Sequence, residues 1–289
     1  MMRRLRIAIP LPRATAGLAL AAGLALATGL APAGGLAPAA GLAQTAKPPL
    51  AAAAGGVPAS GDLPTAEEIL ARHVEVSGGR ETLAAQEYRT ATGSFALPAQ
   101  GIEGDLVIHQ AAPDRYVARI EIPGVGTMAT GYDGEVGWMI QPMVGPMVLE
   151  DGALEDLKLE ADFDEGLKDP ARYDSLATVG TREIEGTACY EVMLRLPSGK
   201  TLSEFYDVET GLMKARESTE ETSMGSVEVF SILSDYRETE GVLLPTTIRQ
   251  RMMGIEQVLT IRTVSFDPVD EEVFALPAEI EALLEAVPR

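Results

Sequence analysis

Cysteine is nearly absent from this chain, in which Cys189 is the only one. One cysteine cannot form a disulfide bond within the chain, and its strand-like surroundings predict a small, buried, apolar side chain. Histidine is almost as scarce, with only His73 and His109. We interpret both as structural residues, because His73 falls on the apolar side of a predicted helix and His109 falls in a predicted strand.

Catalytic and metal-binding motifs are missing as well. The chain has no His-Glu-x-x-His sequence, no paired cysteines and no Gly-x-Ser-x-Gly sequence, and no glycine-rich loop precedes a predicted helix as phosphate binding requires. Residues 162–165, Asp-Phe-Asp-Glu, offer the oxygen ligands that calcium prefers, but they lack the glycine and spacing of a calcium-binding loop. We therefore interpret them as a solvated loop and predict no catalytic residue, no metal site and no cofactor.

Positive charge is scarce after the first 46 residues. All 43 acidic residues follow residue 46, together with 19 of the 23 basic residues, so this part of the chain has a net charge of −24. Such a charge repels nucleic acids and anionic lipid head groups. We therefore predict no nucleic-acid partner, and we expect a monomer that stays in solution even with an exposed apolar patch.

The beginning of the chain has the opposite character. Four arginines within the first 13 residues precede an Ala/Leu/Gly stretch, and small residues ending at Ala43 resemble a cleavage site. This pattern predicts a signal peptide at residues 1–43, cleaved near Ala43 after export through the general secretory route. A retained membrane anchor is the alternative, although prolines and glycines interrupt the apolar stretch. We predict a disordered Ala/Pro/Gly-rich linker at residues 44–62 and a single domain at residues 63–289.

From Tyr88 onward the pattern is that of short strands. Turn sequences such as Asp133-Gly134 and Thr210-Gly211 recur every ten to thirteen residues, with no long helix between them. This spacing predicts an antiparallel meander of about 11–12 strands, in a mainly β (α+β) fold. A sheet of that size curls, so it must close into a barrel or bury its concave face under another element.

Two segments are candidates for that cover. Thr65 and Glu68 form a capping box that predicts a helix ending near Gly78. Residues 150–163 contain a partial helical stripe of leucines, among them Leu154 and Leu157. We therefore expect short helices over the concave face.

Residues 131–149 are the most unusual stretch. They contain the only tryptophan, Trp138, followed by eleven residues without a charge. Prolines at 142 and 146 exclude a regular helix, and flexible methionines suit a surface that accepts irregular apolar partners. Ordinary core filling is the alternative explanation. The residues that we predict to contact an apolar ligand are Met128, Tyr132, Trp138, Met139, Met143, Met147, Leu154 and Leu157.

Three short motifs resemble a known group of proteins. Tyr132-Asp133-Gly134-x-x-x-Trp138-x-x-x-Pro142 is similar to a hairpin of the periplasmic carriers that sort outer-membrane lipoproteins, the lipoprotein localisation factor-like superfamily. Residues 205–212 (Phe-Tyr-Asp-x-x-Thr-Gly-Leu) are similar to a second strand and turn of that group, and residues 273–277 (Val-Phe-Ala-Leu-Pro) to its usual ending. Together with the strand count, the likeness extends over residues 65–277.

The resemblance implies a curved, unclosed β-barrel with helices as a lid across its concave face. It also implies a periplasmic, non-enzymatic protein that binds lipid, lipoprotein acyl chains or another apolar ligand in that cavity, with a role in outer-membrane lipoprotein sorting. The alternative is a module on the same scaffold that interacts with envelope proteins. The lipoprotein carriers lock the lid with an arginine before a proline after the second strand. Residues 109–113 read His-Gln-Ala-Ala-Pro here, so no such arginine lock is expected.

Overall fold

The computed structural model describes residues 63–222 and 225–286. The predicted signal peptide (residues 1–43) and linker (residues 44–62) lie outside the described residues. The described part is mainly β with a few short helices, which confirms the predicted fold class.

The first six strands follow one another in a meander. They are β1 (Tyr88–Leu97), β2 (Ile102–Ala111), β3 (Arg115–Ile122), β4 (Gly126–Tyr132), β5 (Gly137–Gln141) and β6 (Gly145–Val148). The later strands are β7 (Ser175–Ile184), β8 (Thr187–Arg195), β9 (Thr201–Asp207), β10 (Met213–Thr222), β11 (Gly225–Ser234), β12 (Arg237–Thr239), β13 (Val242–Leu244), β14 (Thr247–Met252) and β15 (Ile255–Ser265).

Within the described ranges, thirteen of these strands form one antiparallel sheet. Its order is β6-β5-β4-β3-β2-β1-β15-β14-β11-β10-β9-β8-β7, and β12 pairs with β13 alone. The sheet curves without closing into a barrel. Because β1 pairs with β15, the sheet has two halves, which we call the first wing (β1–β6) and the second wing (β7–β11, β14 and β15). The strands β6 and β7 are its two edges.

Short strands account for the difference from the predicted 11–12. β6 forms across Pro146, which a sheet edge tolerates because the missing N–H is not needed for a ladder on the open side. Residues 242–252 form two strands, β13 and β14, with Pro245 between them.

Two helices precede the sheet, α1 (Ala66–Val76) and α2 (Arg80–Ala84). The predicted capping box is confirmed: Glu68 N donates to Thr65 Oγ1 at 3.2 Å, and Thr65 N donates to Glu68 Oε2 at 2.9 Å. Ile69 and Leu70 of α1 pack with Val192 of β8, so α1 covers part of the second wing.

The helix α3 (Asp151–Ala161) leaves β6 at one edge, and the chain then enters β7 at the other. On its way α3 contacts β3, β4 and β5 of the first wing and β10 of the second. We call the face of the sheet that α3 contacts the inner face and the opposite one the outer face. A single helix therefore spans both wings, which agrees with the predicted cover over the sheet.

The last helix, α4 (Ala278–Ala286), covers the outer face of the first wing. Ile280 of α4 and the preceding Phe274 pack with Val117 and Ala129, which alternate with the inner-facing residues of β3 and β4. Both faces of the first wing are therefore buried, and burial alone does not distinguish them.

Candidate functional site

The inner face of the first wing is apolar where α3 begins. Leu154 and Leu157 of α3 pack in one cluster with Met128 and Tyr132 of β4. The helix can approach closely because Gly137 in β5 has no side chain: a Cβ atom there would lie 2.6 Å from Leu154 Cδ1 and 3.1 Å from Leu157 Cδ2. Four of the eight predicted contact residues are thus brought together. Other buried members of the cluster are Phe95, Leu106, Ile108, Ile120, Ile248 and Ile261.

The three other predicted methionines lie toward the edge of this surface. Met139 and Met147 are opposite each other in the β5–β6 ladder, and both are half-buried. Strand alternation puts Met139 on the same face as Gly137. Met143 lies at the tip of the hairpin, where its side chain is 74% exposed. Met139 and Met147 therefore extend the inner surface, whereas Met143 faces solvent.

Trp138 lies on the outer face instead. Its ring crosses Gly131 on the neighbouring strand, where a Cβ atom would lie 2.5 Å from Trp138 Cζ2. The same side chain packs with Phe274 and Ile280 and is fully buried. Since neighbouring residues of a strand point to opposite faces, Trp138 is separated by the sheet from Tyr132 and Leu154.

A pair of polar side chains connects α3 to the first wing. Gln110 Nε2 in β2 donates to the backbone carbonyl of Glu160 in α3 at 3.0 Å, and Arg89 Nε in β1 donates to Gln110 Oε1 at 2.9 Å. Both side chains are buried. The Arg89 guanidinium also lies 5.4 Å from the centre of the Phe163 ring. The position before Pro113 holds alanine, so the arginine lock of the lipoprotein carriers is absent, as the sequence indicated. Arg89 lies on the neighbouring strand and supports α3 indirectly, because it donates a hydrogen bond to Gln110.

The second wing presents charge to the same interior. Glu204 in β9 accepts hydrogen bonds at Oε1 from Lys168 Nζ at 2.8 Å and from Arg216 Nε at 3.0 Å. Both cations also pair with Glu165, which lies in the connection after α3. All four side chains are buried, and we call Glu165, Lys168, Glu204 and Arg216 the ionic cluster.

Mutual attraction favours the charged forms of Glu204 and Arg216. Burial by itself would raise the pKa of Glu204, but Lys168 and Arg216 outweigh it and hold that pKa well below its usual value. Burial likewise works against the charge of Arg216, and Glu165 and Glu204 reverse the effect, so its pKa lies above the usual value. Burial, followed by repulsion from Lys168, lowers the pKa of the nearby His73 to about 4, which keeps its ring neutral.

A cavity of about 340 Å³ lies between the end of α3 and the ionic cluster. Its walls are mostly apolar, and Glu165 is among them. The residues that line it are Leu159, Asp162, Glu165, Arg172, Tyr173, Leu196, Pro197 and Leu202. A larger and more polar depression of about 560 Å³ lies beside α1, between Arg72 and Asp207.

No family model and no curated protein sequence matches this chain. Among solved structures, a DUF1329 family protein from Desulfovibrio piger is 12% identical, with 72% of this chain and 95% of that one covered and a TM-score of 0.51. The chain shares the fold of that protein. A LolA superfamily protein from Nitrosomonas europaea is 15% identical over 74% of this chain and 99% of its own, with a TM-score of 0.49. A putative outer-membrane lipoprotein-sorting protein domain from Vibrio parahaemolyticus is 13% identical over 72% and 94%, also at 0.49.

The curved, unclosed sheet that the motif resemblance implied is confirmed, and the DUF1329 family protein shares this fold. At these identities the likeness concerns the fold alone. The motif residues themselves have structural roles: Tyr132 Oη donates to the Gly134 carbonyl at 2.9 Å, and Asp133 Oδ1 accepts from Val136 N at 2.7 Å. They shape the hairpin that places β5 beneath α3.

A second polar connection joins α3 to the second wing. Asp156 of α3 forms an ion pair with Lys200, which precedes β9. Glu220 of β10 lies nearby, and burial raises its pKa to about 7 against the attraction of Lys200, with Asp156 adding to the rise. Burial also raises the pKa of Glu160 well above its usual value. Glu160 of α3 and Glu220 of β10 are therefore protonated more readily than an ordinary glutamate.

Sequence reasoning missed the ionic cluster. Residues 162–165 were interpreted as a solvated loop, which is wrong for Glu165, because this side chain is buried against Lys168 and Arg216. One signal was available. Glu204 shares a strand face with Leu202 and Tyr206, and a charge inside an apolar alternation calls for a buried partner.

The cysteine and the two histidines are in structural positions. Cys189 is buried, as predicted. His73 lies against Tyr206 with ring centres 5.1 Å apart, and His109 Nδ1 is 2.9 Å from Thr90 Oγ1. Within residues 63–222 and 225–286, no three His, Cys, Asp or Glu side chains are grouped to hold a metal ion. No helix in those ranges has the length and apolarity needed to cross a membrane.

Proposed function

We propose that this chain is an exported, periplasmic, non-enzymatic protein that binds a lipid, a lipoprotein acyl chain or another apolar ligand between α3 and the inner face of the sheet. The observation that carries the proposal is the mostly apolar cavity of about 340 Å³ beside the end of α3. This volume falls within the range of about 300–1,000 Å³ that is typical of small-molecule sites.

The apolar cluster beneath the beginning of α3 supports the same function. Leu154 and Leu157 of α3 contact Met128 and Tyr132 through apolar packing, without directional bonds. An acyl chain can therefore pack against Met128 and Tyr132 in place of the two leucines. Each buried methylene group contributes about 0.8 kcal/mol. A chain of several methylenes would therefore offset the loss of the leucine contacts. Met139 and Met147 would extend the contact toward the sheet edge.

The first test is the composition of the exported protein purified under native conditions and extracted for mass spectrometry. We expect co-purified lipid and saturable binding of a fluorescent acyl-chain probe. Trp138 lies on the outer face, so its own fluorescence is not a direct reporter of this site. A chain that carries no lipid and binds no probe would overturn the proposal.

Substitutions at two glycines test where the ligand binds. Gly137→Val places a side chain against Leu154 and Leu157, whereas Gly180→Val in β7 meets no atom within 4 Å. If the ligand lies beneath α3, Gly137→Val lowers probe affinity by about tenfold or more, in line with the loss of one or two buried apolar contacts. Gly180→Val is the matched control and should bind like the wild type. Equal binding by both variants would exclude the space beneath the beginning of α3 and confine the ligand to the cavity at its end.

The exposed hairpin tips favour a second candidate, a module that interacts with envelope proteins. Met143 and Val144 at the β5–β6 tip are 74% and 56% exposed, and Val125 at the β3–β4 tip is 48% exposed. Exposed apolar groups at adjoining tips are typical of protein contacts. Capture of a stoichiometric protein partner without lipid, lost in Met143→Ser/Val144→Ser, would favour this candidate.

A further inference from the structure

The cavity beside α3 combines two kinds of wall. Leu159, Leu196 and Leu202 supply apolar surface from the helix and from the ends of β8 and β9. Glu165 supplies a carboxylate that is only 4% exposed. The ion pair of Asp162 with Arg172 belongs to the same lining. An apolar ligand in this cavity would thus lie beside a carboxylate that is largely sequestered from bulk water.

The hydrogen bonds of that carboxylate are incomplete. Glu165 Oε1 pairs with Lys168 and Arg216, whereas Glu165 Oε2 is buried and has no hydrogen-bond partner among the described residues. A buried carboxylate oxygen without a donor is unfavourable, because the hydrogen bonds that it makes to water in the unfolded chain are not replaced. Among the described residues, Glu165 therefore lacks one hydrogen-bond donor.

The charges around Glu165 decide what kind of donor fits. The ionic cluster contains two carboxylates and two cations, and Asp162 and Arg172 balance each other. An anionic head group would meet Glu165 with like charge. An ammonium group would bring an unmatched positive charge into a balanced, buried cluster, at a large desolvation cost. A hydroxyl group donates one hydrogen bond and adds no charge.

We propose that this cavity binds an amphiphile with an apolar body and a neutral hydroxyl head, and that the hydroxyl donates its hydrogen bond to Glu165. The inference rests on the proposed function and specifies the ligand class for it. Lipophilic alcohols and monoacylglycerols have this chemistry.

The test compares ligands that share one chain and differ in the head group. Displacement of the fluorescent acyl-chain probe from the wild-type protein is measured with 1-decanol, decyl methyl ether, decanoate and decylamine. We expect decanol to bind about tenfold or more tightly than the ether, which has no donor, because hydrogen bonds to charged groups are strong. Decanoate and decylamine should bind more weakly than decanol.

Two variants locate the effect. Glu165→Gln presents an amide that can donate to an alcohol or an ether oxygen, so the decanol preference should shrink to about twofold or less. Leu159→Trp fills the cavity from the side of α3 and should weaken decanol binding at least about tenfold. Leu283→Trp, on α4 at the outer face, is the matched control and should change nothing.

The failures are distinguishable. Equal binding of decanol and its ether by the wild type would overturn the hydroxyl assignment and leave apolar binding in place. A preference for decanoate or decylamine would also overturn it, as would decanol binding that survives Leu159→Trp. If no compound displaces the probe and no lipid co-purifies, the proposed function falls with it.

Discussion

The two wings of the sheet offer α3 opposite surfaces. Beneath its first half lie Met128 and Tyr132 of the first wing, and beyond its second half lie Glu204 and Arg216 of the second wing. All four are buried. The first wing therefore meets the beginning of α3 mainly through apolar contacts, which tolerate rearrangement. The second wing adds a buried cluster of hydrogen bonds and ion pairs, which demand a fixed geometry.

The two ends of α3 are therefore held by different kinds of contact. A buried ion pair adds little net stability compared with apolar packing, but removing one partner leaves an uncompensated charge. The ionic cluster therefore specifies where the connection after α3 must lie, because Glu165 and Lys168 both come from it. The apolar contacts of Leu154 and Leu157 with the first wing do not require a fixed geometry. The beginning of α3 is therefore the part that can move to admit a ligand.

The largest effect is expected from removing one cation of the ionic cluster. Arg216→Met leaves Glu165 and Glu204 with Lys168 as their remaining cation and should lower the free energy of unfolding by about 3–5 kcal/mol. Urea unfolding with an unchanged slope measures this loss. Arg251→Met is the control, because the ion pair of Arg251 with Glu256 is exposed and its loss should cost about 1 kcal/mol or less. Similar losses in both variants would show that the second wing does not depend on its buried charges.

A smaller effect, dependent on pH, is expected at Glu220. Its pKa is about 7 in the folded protein, against 4.5 as the ordinary value. Between these values the folded chain holds the extra proton, so the contribution of Glu220 to stability is complete below pH 4.5 and is lost as the pH rises through 7. Glu220→Gln stays neutral throughout. Its stability relative to the wild type should therefore increase by about 2–3 kcal/mol between pH 5 and pH 8.5.

The variant must be compared with the wild type because the titration of His73 changes the stability with pH in the opposite direction. With its pKa lowered from 6.5 to about 4, His73 makes the folded protein more stable as the pH rises from 4 to 6.5. Lys200 and Asp156 face Glu220, and Glu160 lies near it, but all three are the same in both proteins. Glu228→Gln on the neighbouring β11 is the exposed control. A difference that does not change with pH would contradict the burial of a neutral Glu220.

The smallest effect is expected where α3 joins the first wing. Gln110→Ala removes the donor to the Glu160 carbonyl and the acceptor for Arg89, at a cost of roughly 1–3 kcal/mol. Hydrogen exchange should show faster opening of α3, while the strands of the second wing keep their protection. Gln86→Ala, at the end of α2, is the control and should leave α3 unchanged. Uniformly faster exchange would mean that the two wings open together.

Local patterns in the sequence were sufficient for much of the fold. Alternation and turn sequences predicted the strands, and Thr65 with Glu68 predicted the start of α1, because these signals act within a few neighbouring residues. The leucine stripe predicted α3 for the same reason. Register was not predictable: Arg89 and Gln110 are 21 positions apart, and only their pairing in the β1–β2 ladder brings them together.

The candidate site was predicted in part. Met128, Tyr132, Leu154 and Leu157 meet as expected, because apolar periodicity identifies residues that must be buried. Periodicity does not say on which side of a sheet burial occurs when both sides are covered. The placement of α4 over the outer face decided that Trp138 would lie away from α3.

The amino-acid sequence determined a curling antiparallel meander with a helix between β6 and β7, since short-range alternation, turns and capping encode these features. Tertiary structure decided which residues share the space beneath that helix. Glu165, Lys168, Glu204 and Arg216 form one cluster only because the chain carries α3 from one edge of the sheet to the other. Such long-range contacts depend on the packing of whole elements, and no local pattern records them.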